Sequence, residues 1–140
     1  MQIGQSHGCN IGNFLLQGYT CSKTLSEKEL LRYDGELEVV SLVCGLVGGE
    51  TLLSSMPDSM GVLISQATKN KRRYRTLRFL EELLGRVPLL HIEDFCDAHI
   101  FCLEKPSISG RFLCASAYLS SADIATHCRK HYPDIDIPDE

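Results

Sequence analysis

Tyr19 and Lys23 lie four residues apart in the segment that runs from Gly18 to Tyr33. On a helix, residues at this spacing share one face and lie about one turn apart. A nearby ammonium favours the phenolate form of a tyrosine and lowers its pKa from an ordinary value of about 10. Such a tyrosine can donate a proton to a carbonyl oxygen while hydride reaches the carbonyl carbon. The spacing indicates proton-transfer chemistry, although such pairs also arise by chance.

The two side chains hold this geometry only if a helix carries both of them. The segment predicts a helix that ends near Gly35, because glycine is a common C-terminal stop. A second helix start is also possible, since residues 26–29 (Ser-Glu-Lys-Glu) fit a capping box. If the helix began there, Tyr19 and Lys23 would lie in a loop.

Two other groups of residues could support chemistry. Residues 45–49 (Gly-Leu-Val-Gly-Gly) resemble a phosphate loop in composition, but they lack the G-x-G-x-x-G spacing and the Walker lysine, which favours a turn at the end of a strand. A second group combines imidazoles and thiols, and its members are His91, Cys96, His99 and Cys102. Three of them recur every third residue on one expected helix and drift around it, and no C-x-x-C pair is present. Core packing is the favoured interpretation, and no metal is predicted.

The composition is that of one soluble domain. The chain has 140 residues, of which 44% are hydrophobic and 23% charged, with a net charge of -4. The mild acidity gives no indication of a nucleic-acid partner, and no apolar run reaches the roughly 18 residues of a membrane helix. The seven cysteines are an odd number, and in the absence of a secretory signal reduced thiols in a cytoplasmic protein are expected.

Short apolar runs alternate with amphipathic segments along the chain. The expected strands are residues 38–44, 87–92 and 110–115; the expected helices are residues 18–33, 56–67, 75–84, 93–103 and 120–132; and the expected loops and turns are residues 1–18, 45–50 and 69–73. The strand at 38–44 has few polar positions, as in a buried parallel sheet. The order of elements predicts an α/β fold with an incomplete parallel sheet.

Several of these segments, in collinear order, resemble the extended short-chain dehydrogenase/reductases in the form found in plant dihydroflavonol reductase and anthocyanidin reductase. The Tyr-x-x-x-Lys signature begins at Tyr19, and the other matching segments are residues 54–59, 91–100, 110–116 and 131–133. The resemblance covers residues 19 to about 138. It implies the C-terminal portion of a Rossmann-type NAD(P)-binding fold together with the small substrate lobe.

The resemblance also implies roles for individual residues. Tyr19 would be the general acid, and Lys23 would lower the pKa of its phenol while hydrogen-bonding the nicotinamide ribose of NADPH. The nicotinamide half of the cofactor would be lined by Cys44, Gly45, Leu46 and Val47. Ser59 would lie near the cofactor phosphates. The basic run at 69–78 and the helix at 75–84 would belong to the substrate-side lobe.

The sequence departs from the family pattern in three respects. The glycine-rich fingerprint that holds the pyrophosphate on a helix N-terminus is missing, as is the serine that relatives carry well upstream of the tyrosine. Cys44 stands where relatives commonly carry proline. Residues 1–140 are therefore expected to form a single partial domain that corresponds to the C-terminal half of a reductase. Strand edges and apolar faces that the complete sheet would cover are expected to be exposed.

Two functions follow from the resemblance. The first is an NADPH-dependent reduction of a flavonoid-like carbonyl, with the chain inactive by itself. The second is a non-catalytic protein that associates with a full-length relative through the exposed edge of its sheet.

Overall fold

The computed structural model describes the backbone of residues 11–138 and the side chains of residues 18–138. This part of the chain contains five helices and five strands. They are α1 (Ile11–Leu31), β1 (Val40–Cys44), β2 (Leu46–Gly48), α2 (Asp58–Leu63), α3 (Lys71–Leu84), β3 (Val87–His91), α4 (Ile92–Glu104), β4 (Gly110–Cys114), β5 (Ala117–Leu119) and α5 (Ser121–His131). The α/β class predicted from the sequence is confirmed.

The chain divides into two compact units. The first comprises the residues up to Ser41 together with residues 107–111, and the second comprises residues 42–106 together with the residues from Phe112 onwards. In the first unit, Glu27 of α1 accepts hydrogen bonds from the hydroxyl of Ser41 and from Nε of Arg111, the latter at 3.0 Å. These contacts, with Ser41 foremost, hold the pKa of Glu27 below its ordinary value.

The second unit is built on a three-stranded sheet in the order β2-β3-β5. β2 runs parallel to β3, with Leu46 opposite Leu89 and Gly48 opposite His91. β5 runs antiparallel to β3, with Leu119 opposite Val87. β1 pairs instead with β4.

The core of the second unit lies between this sheet and the helices beside it. Leu77 of α3 and Val87 of β3 are fully buried, and Val62 and Ile124 complete the cluster. α3 turns one face towards the core, and Leu77 lies on it. Leu83, six residues later, lies on a different side of the helix and is 66% exposed.

Side-chain caps fix where two of the helices begin. The side chain of Asn70 accepts the backbone N–H of Arg73 and so starts α3. Ser120 and Asp123 form a reciprocal capping box at the start of α5. The cap at Asn70 explains one error of the sequence-based prediction, because residues 71–73 belong to α3 and not to a connector.

Three further expectations were wrong in detail. Residues 46–48, expected in a turn, form β2, because β3 offers them a parallel partner. β5 was not predicted at all. The loop expected up to residue 18 is helical from Ile11, while residues 1–10 of that loop lie outside the described residues. The capping-box segment at Ser26 lies within α1 and starts no helix.

Candidate active site

Tyr19 and Lys23 lie on one face of α1. The ammonium nitrogen of Lys23 is 5.8 Å from the centroid of the Tyr19 ring, a distance at which a cation is attracted to an aromatic face. Tyr19 is 62% exposed, and Lys23 is also exposed. The helix therefore holds the ammonium near the face of the phenol ring, and within the described chain both side chains are exposed to water.

The segment from Cys44 to Val47 joins two strands of different sheets. Cys44 ends β1, Leu46 begins β2, and Gly45 makes the transition between them. A Cβ atom at Gly45 would lie 2.4 Å from the carbonyl oxygen of Pro88. Because that oxygen belongs to the backbone of β3, only glycine fits, and the segment passes close to the neighbouring strand.

Ser59 lies in the first turn of α2 and contacts this segment directly. Its hydroxyl donates a hydrogen bond of 2.7 Å to the carbonyl oxygen of Val47. The structure therefore brings Ser59 together with the Cys44–Val47 segment in the second unit. Tyr19 and Lys23 belong to the first unit, so the predicted site residues divide between the two units.

Among the residues predicted to contact the cofactor, Cys44 has a shifted pKa. Burial raises the pKa of its thiol, and the neighbouring Cys114 thiol raises that pKa further. At neutral pH a half-buried thiol with a raised pKa is mostly protonated and presents a small apolar surface, and only its minor thiolate fraction is reactive.

The imidazoles and thiols that were expected to pack in the core lie outside it. His91, Cys96 and His99 are exposed, Cys102 is half-buried, and α4 has no buried residue among those described. Core packing was therefore the wrong interpretation. His91 instead caps α4, because its ring nitrogen accepts the backbone N–H of Glu93.

Two features of the second unit were not predicted as functional. The hydroxyl of Ser116 donates to the carboxylate of Asp94 and accepts the backbone N–H of His91 at 3.0 Å, which joins the residues after β4 to the start of α4. A cavity of about 300 Å³ lies beside the start of α3, and its lining residues are Ser65, Gln66, Lys69, Asn70, Lys71, Tyr74 and Pro138. Pro138 is far from the others in sequence, so no local pattern could have revealed this cavity.

The fold and the residues of α1 point to a nucleotide-dependent enzyme family. Residues 10–113 match the family described as "NAD dependent epimerase/dehydratase family". Since this match covers most of the chain, the protein belongs to that family. Among the described residues, no helix has both the length and the apolar character to cross a membrane.

The named relatives that the chain resembles include flavonoid reductases. The chain is 35% identical over 123 residues to an anthocyanidin reductase ((2S)-flavan-3-ol-forming) of Vitis vinifera, covering 86% of this chain and 36% of that protein. It is 36% identical over 122 residues to a dihydroflavonol 4-reductase of Zea mays, covering 86% of this chain and 32% of that protein. The chain thus spans about a third of the length of the curated relatives it matches, and the resemblance to this group is confirmed.

A solved structure supports the same grouping. Vestitone reductase from alfalfa (Medicago sativa L.) superimposes with a TM-score of 0.71 at 25% identity, over 86% of this chain and 37% of that chain. The expected Rossmann-type α/β fold, present here in part, is confirmed.

Proposed function

We propose that the chain is the C-terminal catalytic portion of an NADPH-dependent oxidoreductase that reduces a flavonoid-like carbonyl, with Tyr19 as the proton donor. The observation that supports this most directly is the pairing of Tyr19 with Lys23 on one face of α1, inside the region that matches the family. In this proposal residues 1–140 form one partial domain of a larger catalytic fold, and the protein acts in the cytoplasm.

The residues present suit one half of the cofactor. The phenol of Tyr19 and the ammonium of Lys23 are hydrogen-bond donors that could hold the nicotinamide ribose. The hydroxyl of Ser59 already donates its hydrogen bond to the carbonyl oxygen of Val47. It therefore has no further proton to donate to a phosphate oxygen. The sequence contains no glycine-rich fingerprint that would hold the pyrophosphate. The chain therefore fits the nicotinamide half better than the phosphate half.

The proposed chemistry of the chain is a single proton transfer. NADPH, when bound, supplies the hydride. Tyr19 gives its proton to the carbonyl oxygen as negative charge develops there, and the positive charge of Lys23 stabilises the phenolate that remains. Such a step is favoured when water is excluded, whereas Tyr19 is 62% exposed in this chain. We therefore expect little or no turnover by the chain alone.

A complementation assay tests this function. The 140-residue chain is expressed with the N-terminal portion of the Vitis vinifera anthocyanidin reductase that it does not match, and oxidation of NADPH is followed with an anthocyanidin or a dihydroflavonol. The matched control is the C-terminal portion of that reductase with the same partner. If the control is active and this chain is not, the proposed reductase function is wrong. Turnover by the chain alone would contradict its proposed inactivity. Use of NADH in place of NADPH would contradict the proposed cofactor specificity.

A second candidate function is non-catalytic association with a full-length relative. The observation that favours it is the exposed apolar surface of the second unit, to which Leu103 of α4 contributes at 87% exposure and Leu113 of β4 at 66%. Exposed apolar patches often mark interaction sites. Co-purification of a tagged, inactive chain with a full-length anthocyanidin reductase would support this candidate. Its loss on changing both leucines to serine would assign the interaction to this surface.

A further inference from the structure

Cys44 and Cys114 lie directly opposite each other on neighbouring strands. β1 pairs with β4, and the backbone N–H of Gly45 donates to the carbonyl oxygen of Cys114 at 3.2 Å. A second hydrogen bond, from Gly110 to Val39, lies near the beginning of both strands, so the strands run in the same direction. In a parallel pair, a carbonyl accepts from the residue that follows its opposite partner. The partner of Cys114 is therefore Cys44.

Directly opposite residues direct their side chains to the same face of a sheet. Both thiols are free and half-buried, and they are close enough for the Cys114 thiol to contribute to the raised pKa of Cys44. Neighbouring strands lie about 4.8 Å apart, which falls within the roughly 4.4–6.8 Å between Cα atoms that a disulfide spans. The backbone already holds the two cysteines at a distance that a bond between their sulfurs can bridge.

We propose that Cys44 and Cys114 are a redox-convertible dithiol, which glutathione disulfide or a similar small disulfide converts to an intrachain disulfide. One thiolate attacks a sulfur of glutathione disulfide, forming a mixed disulfide and releasing one glutathione. The second cysteine, as its thiolate, then attacks the protein sulfur of the mixed disulfide and releases the second glutathione. The protein loses two thiol protons and two electrons, and one glutathione disulfide becomes two glutathione molecules. The new bond joins β1 covalently to β4.

The other cysteines provide internal comparisons. Cys96 and Cys102 lie six residues apart on α4, which places them about 9 Å apart along the helix axis and on different sides of it. That separation is too large for a disulfide without unwinding the helix. Cys21 and Cys96 are exposed, so they report whether the small disulfide reaches the protein at all.

The test is non-reducing peptide mapping after equilibration with glutathione and glutathione disulfide. The purified chain is alkylated and digested with trypsin. The peptide that contains Cys44 spans residues 33–69, and the peptide that contains Cys114 spans residues 112–129. We expect these two peptides to become linked, with the loss of two alkylatable thiols per chain.

Three variants decide how a linkage is interpreted. Cys44→Ser and Cys114→Ser should abolish it. Cys128→Ser should retain it, because Cys128 shares the second peptide but lies on α5. Persistence of the linkage in Cys114→Ser would overturn the proposal, as would full alkylation of Cys44 and Cys114 under conditions in which Cys21 and Cys96 carry glutathione. The result for the unmodified chain does not depend on whether a variant folds.

Discussion

The hydroxyl of Ser59 donates a hydrogen bond of 2.7 Å to the carbonyl oxygen of Val47. This contact ties the first turn of α2 to the middle residue of β2. β2 has three residues, follows β1 after a single glycine and lies at the edge of its sheet, where its backbone pairs with β3 alone. Ser59, which the family resemblance places near the cofactor phosphates, thus has a role in the folded chain that requires no cofactor.

Replacing Ser59 with alanine should loosen β2. The half-buried carbonyl of Val47 would lose its donor, and a lost hydrogen bond of this kind costs about 1 kcal/mol. We expect faster amide hydrogen exchange at Leu46–Gly48 and a small loss of stability to urea. Ser54→Ala is the matched control, because Ser54 is exposed in the preceding loop. Equal exchange at β2 in both variants would show that the contact does not hold the strand.

Leu77→Ala should destabilise the second unit strongly. Leu77 is fully buried in the core cluster, and truncating a buried leucine costs about 3 kcal/mol because of lost contacts and the remaining cavity. Leu83→Ala on the same helix removes the same atoms from a side chain that is 66% exposed, and should cost less than about 0.5 kcal/mol. Urea unfolding of both variants measures the difference. Similar losses would contradict the assignment of the core.

Cys44 should be alkylated more slowly than Cys21 at neutral pH. Because burial and the Cys114 thiol raise the pKa of Cys44, a smaller fraction is thiolate at a given pH, and thiolate is the reactive form. The rate at Cys44 should continue to rise with pH above about 8.5, the ordinary pKa of a thiol. Cys114→Ser removes one cause of the raised pKa and should speed alkylation of Cys44. Rates by mass spectrometry at several pH values provide the measurement, and an unchanged Cys44 rate in Cys114→Ser would contradict the coupling.

The capping box of α5 should make stability depend on pH. Asp123 accepts from the backbone N–H of Ser120 at 2.9 Å, and this hydrogen bond is the largest cause that holds the pKa of Asp123 below its ordinary value. A carboxyl whose pKa is lower in the folded state stabilises the fold above its unfolded pKa of about 3.9, and this stabilisation is lost as the pH falls through the folded pKa.

Urea midpoints measured at about pH 6 and about pH 3 should therefore differ less in Asp123→Asn than in the unmodified chain. Part of the difference should persist, because Glu27 and Asp136 also have lowered pKa values. Ser120→Ala removes the side-chain cap itself and should cost about 1 kcal/mol at neutral pH. If Asp123→Asn left the pH dependence unchanged, the box would contribute nothing to acid sensitivity.

Tyr19→Phe should abolish most of the activity in the complementation assay. Removal of a general acid lowers turnover by roughly 10²- to 10⁴-fold, whereas binding of NADPH should weaken only by the loss of one hydrogen bond, about 1 kcal/mol. Tyr33→Phe is the matched control, because Tyr33 follows α1 and is also exposed. A comparable loss in both variants would assign the effect to folding of the first unit and not to proton transfer.

Four elements of this fold, each of at least five residues, could be predicted from sequence because each carries an apolar pattern of its own. β3, α4, β4 and α5 were expected within one or two residues of where they lie. The two missed strands, β2 and β5, have three residues each. Such strands form because β3 offers a pairing partner on either side. A sequence of three residues does not indicate whether a partner strand lies beside it.

The candidate site was predictable only in part for the same reason. The spacing of Tyr19 and Lys23 is a local property of one helix, so the sequence predicted their shared face. The contact between Ser59 and Val47 joins residues twelve positions apart, and the resemblance alone suggested a phosphate role for Ser59. The pairing of Cys44 with Cys114 depends on strand register, which no local sequence pattern predicts.

The burial of Ile137 affects how the second unit folds during synthesis. Ile137 is 7% exposed, and beside it Asp136 forms an ion pair of 2.7 Å with Lys69, which is 67 residues away in the chain. A contact between residues so distant in sequence cannot form before the later residue has been synthesised, and closing the intervening loop costs entropy. The second unit can therefore bury its full set of apolar residues only after residue 137 has left the ribosome. Until then, its earlier strands and helices lack the contact with Ile137.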